Sequence, residues 1–311
     1  MEPYVTAARQ TRVTTGRKMI PAQVEPAEQG SERRHLVGLD IDGTLLVTGQ
    51  EPTPAVLAGI RAALYAGHIL VLATGRSLSG ALYAARLLGI TDGWIVASNG
   101  SVVVRLNGGG YDVVGIHTVD AKAVVQLVSV VRPDLWIAAE IVGVGYHVSK
   151  PFPPQELGGE QVEVTRLDDL WAEATPRLVI YGVGAQNLVP SIRAGGMTAT
   201  RTRPDWVDVT PGGVSKATAL ETIRRELGIP KSRTVAVGDS ENDISMLTWA
   251  ERGIAMGNAS ALVRFSANYA TKDVEDDGAA LILHALAQPD REDLTGGTRA
   301  GAATATTVRA H

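Results

Sequence analysis

The chain has 311 residues, 45% of them apolar, and a net charge of −4, enough for a sizeable core and, on length, for two domains. A slight negative charge gives no general attraction to nucleic acid or an anionic membrane, so any phosphate binding must be local. With no cysteine in the sequence, disulfides, Cys-ligated zinc, iron–sulfur clusters and thiol nucleophiles are excluded, and hard metals on oxygen ligands remain.

Residues 1 to about 34 mix Thr, Gln, Glu, Pro and Arg without a helical or strand period and are expected to form a disordered leader. The next stretch, HLVGLDIDGTLL from His35 to Leu46, is an apolar run that stops at Asp40 and Asp42 before a turn at Gly43 and Thr44. Leu36, Val37 and Leu39 are what a parallel strand buries on both faces, so the two carboxylates fall at a strand's C-terminal end, where open α/β sheets bind ligands.

Acids this close repel each other, and the pair needs either a cation between them or a proton on one. Both conditions suit phosphoryl transfer. In such a reaction one carboxylate could attack phosphorus with Mg²⁺ screening the charge, and the other could protonate the leaving oxygen and later deprotonate water. Gly43 lets the backbone approach the phosphate. D-x-D pairs also occur in plain turns, calcium loops and nucleotide-sugar sites. The calcium-loop reading fails because Thr44, Leu45 and Leu46 do not continue the EF-hand ligand spacing.

From Thr53, TPAVLAGIRAALYAG has a capping residue, Pro at the first helical position, helical apolar spacing and a closing Gly67. HILVLATG is a second strand ending at Thr74, Gly75 and Arg76, SLSGALYAARLLG a second helix, and WIVASNG a third strand ending at Ser98, Asn99 and Gly100. This alternation predicts right-handed crossovers and a parallel sheet. SVVVRLNGGGYDVVGI predicts a hairpin, and a helix follows from about Asp120.

From there to Pro204 the texture changes to strand-like pieces broken by PFPPQ and two short helical patterns, which predicts a second, α+β unit. WVDVTPGGVSKATALETIRRELGI then reads as a strand, a Gly turn and a helix with Lys216 at its start. RTVAVGDSENDISMLTWA is a buried strand ending at Asp239, with Asn242 and Asp243 opening the next helix. GIAMGN is a short strand, DDGAALILHALA a closing helix, and the Gly-, Thr- and Ala-rich stretch from about Gln288 a disordered tail. No apolar run approaches the roughly 20 residues of a membrane span and no secretory leader pattern is present, so a soluble, cytoplasmic protein is expected.

Asp40/Asp42, Thr74, Lys216 and Asp239/Asp243 thus stand at separate strand or helix ends, in that order. Together they supply a nucleophile, an acid/base, a hydroxyl donor, a cation and further metal carboxylates. Through DIDGTLL, ATGRS, GGVSKATAL and GDSENDISML the chain resembles the haloacid dehalogenase superfamily over about residues 35 to 287, and within it the Cof-like branch with a type IIB α+β cap.

The resemblance implies an α/β core with a Rossmann-like parallel sheet, helices on both faces and an inserted cap. The core would comprise 35–118 and 205–287, the cap 119–204 with hinges near Thr118 and Pro204, the leader 1–34 and the tail 288–311. It further implies that Asp40 becomes an aspartyl phosphate, that Asp42 is the general acid/base, and that Thr74 and Lys216 hold phosphoryl oxygens. Mg²⁺ would lie on Asp40, the Asp42 backbone carbonyl and Asp239, with Asp243 orienting its water or ligating weakly. Gly43, Thr44, Gly75, Arg76, Asn99, Gly100 and Asn242 would line the phosphate.

Asp208 stands where relatives often carry Glu, a change of reach but not of charge. The cap matches only in texture. His147, Lys150 and Arg201 to Arg203 are the candidates there for facing the core. The expected function is hydrolysis of a small-molecule phosphate ester such as a sugar phosphate, with no nucleic-acid or membrane partner. A phosphomutase, and a non-catalytic phosphometabolite-binding module, are the alternatives.

Overall fold

In the computed structural model, residues 34–47, 49–154 and 156–288 are described. Apart from Arg34 and Gln288, the expected leader and tail lie outside them. The first sheet is built from β1 (Leu36–Leu39), β2 (Ile69–Ala73), β3 (Asp92–Ala97), β4 (Val102–Asn107), β5 (Tyr111–Ile116), and, after a long excursion, β12 (Thr234–Gly238), β13 (Arg252–Ala255) and β14 (Tyr269–Ala270). The excursion carries β6 (Trp136–Ile141), β7 (Gly145–Val148), β8 (Glu160–Glu163), β9 (Leu178–Tyr181), β10 (Thr198–Arg203) and β11 (Trp206–Thr210). The helices are α1 (Pro54–Tyr65), α2 (Leu78–Leu87), α3 (Ala121–Val131), α4 (Val189–Ala194), α5 (Lys216–Glu226), α6 (Ile244–Trp249), α7 (Ala261–Ser266) and α8 (Gly278–Leu286).

The first sheet has the order β14-β13-β12-β1-β2-β3-β4-β5. It is parallel from β14 to β3, and the predicted hairpin β4–β5 extends it antiparallel. β1 is central because both faces of it can be buried. Val37 and Leu39 point to a core shared with Ile60, Ala81 and Leu283 of α1, α2 and α8, while Leu36 points to one shared with Leu220, Ile223 and Leu247 of α5 and α6. Gly38 shares Leu36's face. A Cβ there would lie 2.9 Å from Leu220 Cδ1, so the missing side chain is what lets α5 lie this close to β1.

The second sheet has the order β10-β11-β9-β6-β7-β8. Helices α3 and α4 cover one face over Ile137, Ala139, Leu178 and Val207. On the other face Trp136, Tyr181 and Trp206 stand in register and pack with Phe152.

One expected boundary moves. The sequence predicts the return to the core near Pro204, with WVDVT as a core strand, but Trp206–Thr210 is β11 and pairs antiparallel with β9 and β10. Its alternation is the same in either sheet, and only the pairing partners decide. The crossing falls in the following turn, before Ser215 caps α5.

Leu220→Ala removes the side chain that fills the groove above Gly38. It should destabilise the fold by about 2–5 kcal/mol, read as a lower urea midpoint with an unchanged slope.

Candidate active site

The site follows from strand alternation. Leu36, Gly38 and Asp40 share one face of β1, and two strand residues advance about 6.6 Å. Leu220 and Lys216 share one face of α5, and four helical residues advance about 6 Å. With Leu220 over Gly38, Lys216 is delivered to Asp40.

Lys216 Nζ donates to Asp40 Oδ1 at 2.6 Å and to Asp243 Oδ1 at 2.6 Å, with all three residues buried. Asp243 Oδ2 accepts from the backbone N–H groups of Asp239 (3.0 Å) and Ser240 (2.9 Å), which fixes the loop after β12. Thr44 Oγ1 donates to Asp239 Oδ1 at 3.2 Å. Gly43, at φ +80°, lies where a Cβ would overlap the Asp239 carboxylate.

Asp40, Asp239 and Asp243 each offer an oxygen within 4.8 Å of the others. Burial, then Asp243, pushes the Asp40 carboxyl well above the ordinary carboxylate range against the pull of Lys216. Burial and Asp243 likewise push Asp239 up to about 6. Burial would lower Lys216, but Asp243 and Asp40 outweigh it and hold the ammonium above an ordinary lysine. One ammonium against these carboxylates leaves an excess of negative charge that a divalent cation would neutralise, and all the donors are hard oxygens. The residues present therefore fit a metal.

Around this centre lie the remaining predicted residues. Arg76 grips Asp42 with both arms of its fork, Nε to Oδ2 at 2.7 Å and Nη2 to Oδ1 at 2.6 Å, and these bonds hold its guanidinium above its ordinary value. Thr74 Oγ1 accepts from the Arg76 N–H at 3.1 Å, and the Thr74 carbonyl accepts from Asn99 N–H at 3.0 Å. Ser98 and Asn99 both take positive φ, 49° and 56°, followed by Gly100 at 106°. A Cβ on Gly100 would overlap the Ser215 carbonyl, so this glycine lets the start of α5 meet the loop. Asn242 Nδ2 donates to Asn99 Oδ1 at 2.9 Å, beside Gly75. Among the described residues the buried Asn99 Nδ2 meets no hydrogen-bond acceptor.

The sequence reading missed Asn258. Its Nδ2 donates to the Gly43 carbonyl at 2.9 Å and to Asp239 Oδ2 at 3.3 Å, while Val274 N–H donates to its Oδ1. It follows β13 as Asp239 follows β12, so the strand-end rule applied to GIAMGN would have found it. The cap candidates fare differently. Arg203 pairs with Glu156 and stacks on Trp206 at 4.1 Å, within the second sheet's unit. His147 lines a small cavity with Asp169 and Glu173, and Lys150 and Arg201 are exposed. Glu140 and Arg177 do reach the core loops through hydrogen bonds.

A family profile of haloacid dehalogenase-like hydrolases matches residues 37–150 and 185–283. The chain belongs to that family. Its pairing of core sheet and inserted cap is that of the Cof-like IIB branch. It is 31% identical to a phosphoglycolate phosphatase of Natronomonas pharaonis, across 78% of this chain and 93% of that protein. It is 29% identical to a 5-amino-6-(5-phospho-D-ribitylamino)uracil phosphatase of Bacillus subtilis, across 80% and 96%. The solved structure of a HAD-superfamily phosphatase from Bacteroides thetaiotaomicron superposes with a TM-score of 0.69 at 26% identity, covering 85% of this chain and 99% of that one.

Millimolar MgCl₂ should raise the melting temperature, EDTA should reverse the rise, and Asp239→Asn should abolish it. At about 100 times the dissociation constant the gain is about 2.7 kcal/mol.

Proposed function

We propose that this protein is a Mg²⁺-dependent phosphatase that hydrolyses a small phosphorylated metabolite, a sugar phosphate or similar monoester, through an aspartyl phosphate on Asp40. The observation that carries the proposal is the buried Asp40–Lys216–Asp243 cluster beside Asp239, at the strand ends where Asp42 also stands. The activities named for the phosphoglycolate phosphatase and the 5-amino-6-(5-phospho-D-ribitylamino)uracil phosphatase, both on small phosphate esters, support it.

Asp40 and Asp239, with the backbone carbonyl of Asp42, would hold the Mg²⁺, and Asp243 would orient them. When bound, the ion offsets charge between nucleophile and phosphoryl oxygens. Asp40 attacks phosphorus, and the bond to the leaving oxygen breaks as Asp42 protonates it. Water then attacks the acyl phosphate, giving its proton to Asp42, and inorganic phosphate departs with Asp40 regenerated. Thr74, Lys216 and Asn99 Nδ2, which no acceptor reaches among the described residues, would hold phosphoryl oxygens. Arg76 holds Asp42 as a two-handed acceptor, the form that takes a proton from water. To donate one, Asp42 turns a protonated oxygen toward the leaving group while its other oxygen still accepts from Arg76.

Purified protein with Mg²⁺ should release phosphate from p-nitrophenyl phosphate, and EDTA should stop it. Asp40→Asn should remove turnover. Asp42→Asn should lower turnover of an alkyl phosphate by about 10² to 10⁴. Near-normal alkyl phosphate turnover by Asp42→Asn, or no release from a broad monoester panel by the unaltered protein, would refute the respective assignments.

A further inference from the structure

The cap's contact with the core centres on ionisable groups. Glu140 on β6, Tyr146 on β7, Arg177 just before β9 and Asp208 on β11 are all buried on one face of the second sheet. Arg177 Nε donates to Glu140 Oε2 at 3.2 Å, Nη1 to Asp208 Oδ2 at 3.3 Å, and Nη2 to the Tyr146 hydroxyl. Trp206 Nε1 donates to Asp208 Oδ1 at 3.0 Å. The remaining bonds cross to the core. Arg177 Nη1 donates to the Gly75 carbonyl, Leu78 N–H donates to Glu140 Oε1 at 3.1 Å, and Ser98 Oγ donates to Glu140 Oε2 at 2.6 Å.

Those core groups are not arbitrary. Gly75 lies between Thr74 and Arg76, and Ser98 precedes Asn99. Leu78 N–H opens α2, where amides lack an intrahelical acceptor and a carboxylate is favoured. A second tether adjoins it, because Ser79 Oγ donates to the cap carbonyl of Gly158 at 2.9 Å. Buried ions are tolerated only when fully satisfied. Lifting the cap would take both core donors from Glu140 and the core acceptor from Arg177. Closure is therefore directional, with one register in which every charge is met.

We propose that Glu140 and Arg177 form a polar latch that closes the cap on the catalytic loops, and that Arg177, by holding the Gly75 carbonyl, is a positioning residue for Arg76 and hence for Asp42. The latch stands on geometry alone. Its effect on proton transfer rests on the phosphatase reading above.

The sequence has no cysteine, so a spin-label pair can be placed at Arg86→Cys on α2 and Glu163→Cys on β8, both exposed, in otherwise unaltered protein. Arg177→Gln and Glu140→Gln in this background should each broaden the label-to-label distance distribution. Each should also lower kcat/KM at least tenfold more for an alkyl phosphate than for p-nitrophenyl phosphate, whose leaving group hardly needs an acid. Arg177→Lys, with one point charge in place of a fork, should recover the melting temperature and leave the leaving-group sensitivity.

An unchanged distance distribution in a folded variant overturns the latch. Equal losses on both esters overturn the positioning role. Should Arg177→Gln fail to fold, Glu140→Gln decides both points by the same criteria. If the unaltered protein hydrolyses no ester, the phosphatase reading fails and takes the positioning role with it, while the distance measurement still decides the latch.

Discussion

The site depends on one buried ammonium held between carboxylates from distant parts of the chain. Lys216 meets Asp40, 176 residues earlier, and Asp243, 27 residues later, with its side chain fully buried. A lysine in a low-dielectric interior is stable only if its charge is answered there. Each partner is itself committed, Asp40 by its place at the end of β1 and Asp243 by two backbone N–H groups. The packing of α5 on β1 and the turn after β12 are therefore fixed by the same charges that the proposed chemistry would use.

The glycines around this cluster serve close approach. Gly38 admits Leu220, Gly43 admits the Asp239 carboxylate, and Gly100 admits the start of α5. Side chains at these places would push apart elements whose separation sets the Lys216–Asp40 distance. A merely stable sheet would favour a β-branched residue at Gly38, and the exchange for closeness is legible once the site is known.

Much of this was readable in the sequence. The strand ends announce themselves where apolar runs stop at Asp40, Thr74 and Asp239, because a buried parallel strand leaves a strong signal and its C-terminal end is where polar residues gather. Asn258 escaped because β13 is short and its polar follower resembles an ordinary turn. The cap boundary was missed because Trp206–Thr210 alternates identically whichever sheet receives it. Glu140 and Arg177 were invisible for a different reason. A lone Glu in a strand and a lone Arg after a Pro carry no local mark, and they become a pair only through the β6–β9 register.

The position of β1 in the sheet also bears on how the protein is made. Its neighbours are β2 and β12, and Leu36 lies opposite Thr234. On the ribosome, the nascent central strand waits with one edge open until β12, which follows the whole inserted unit, has been translated. The second sheet, by contrast, comes from a single uninterrupted stretch, and such units fold as they emerge. The inserted unit can thus assemble while its host is still half a sheet. The open edge of β1 is then an aggregation hazard whose duration is set by translation speed across the insertion.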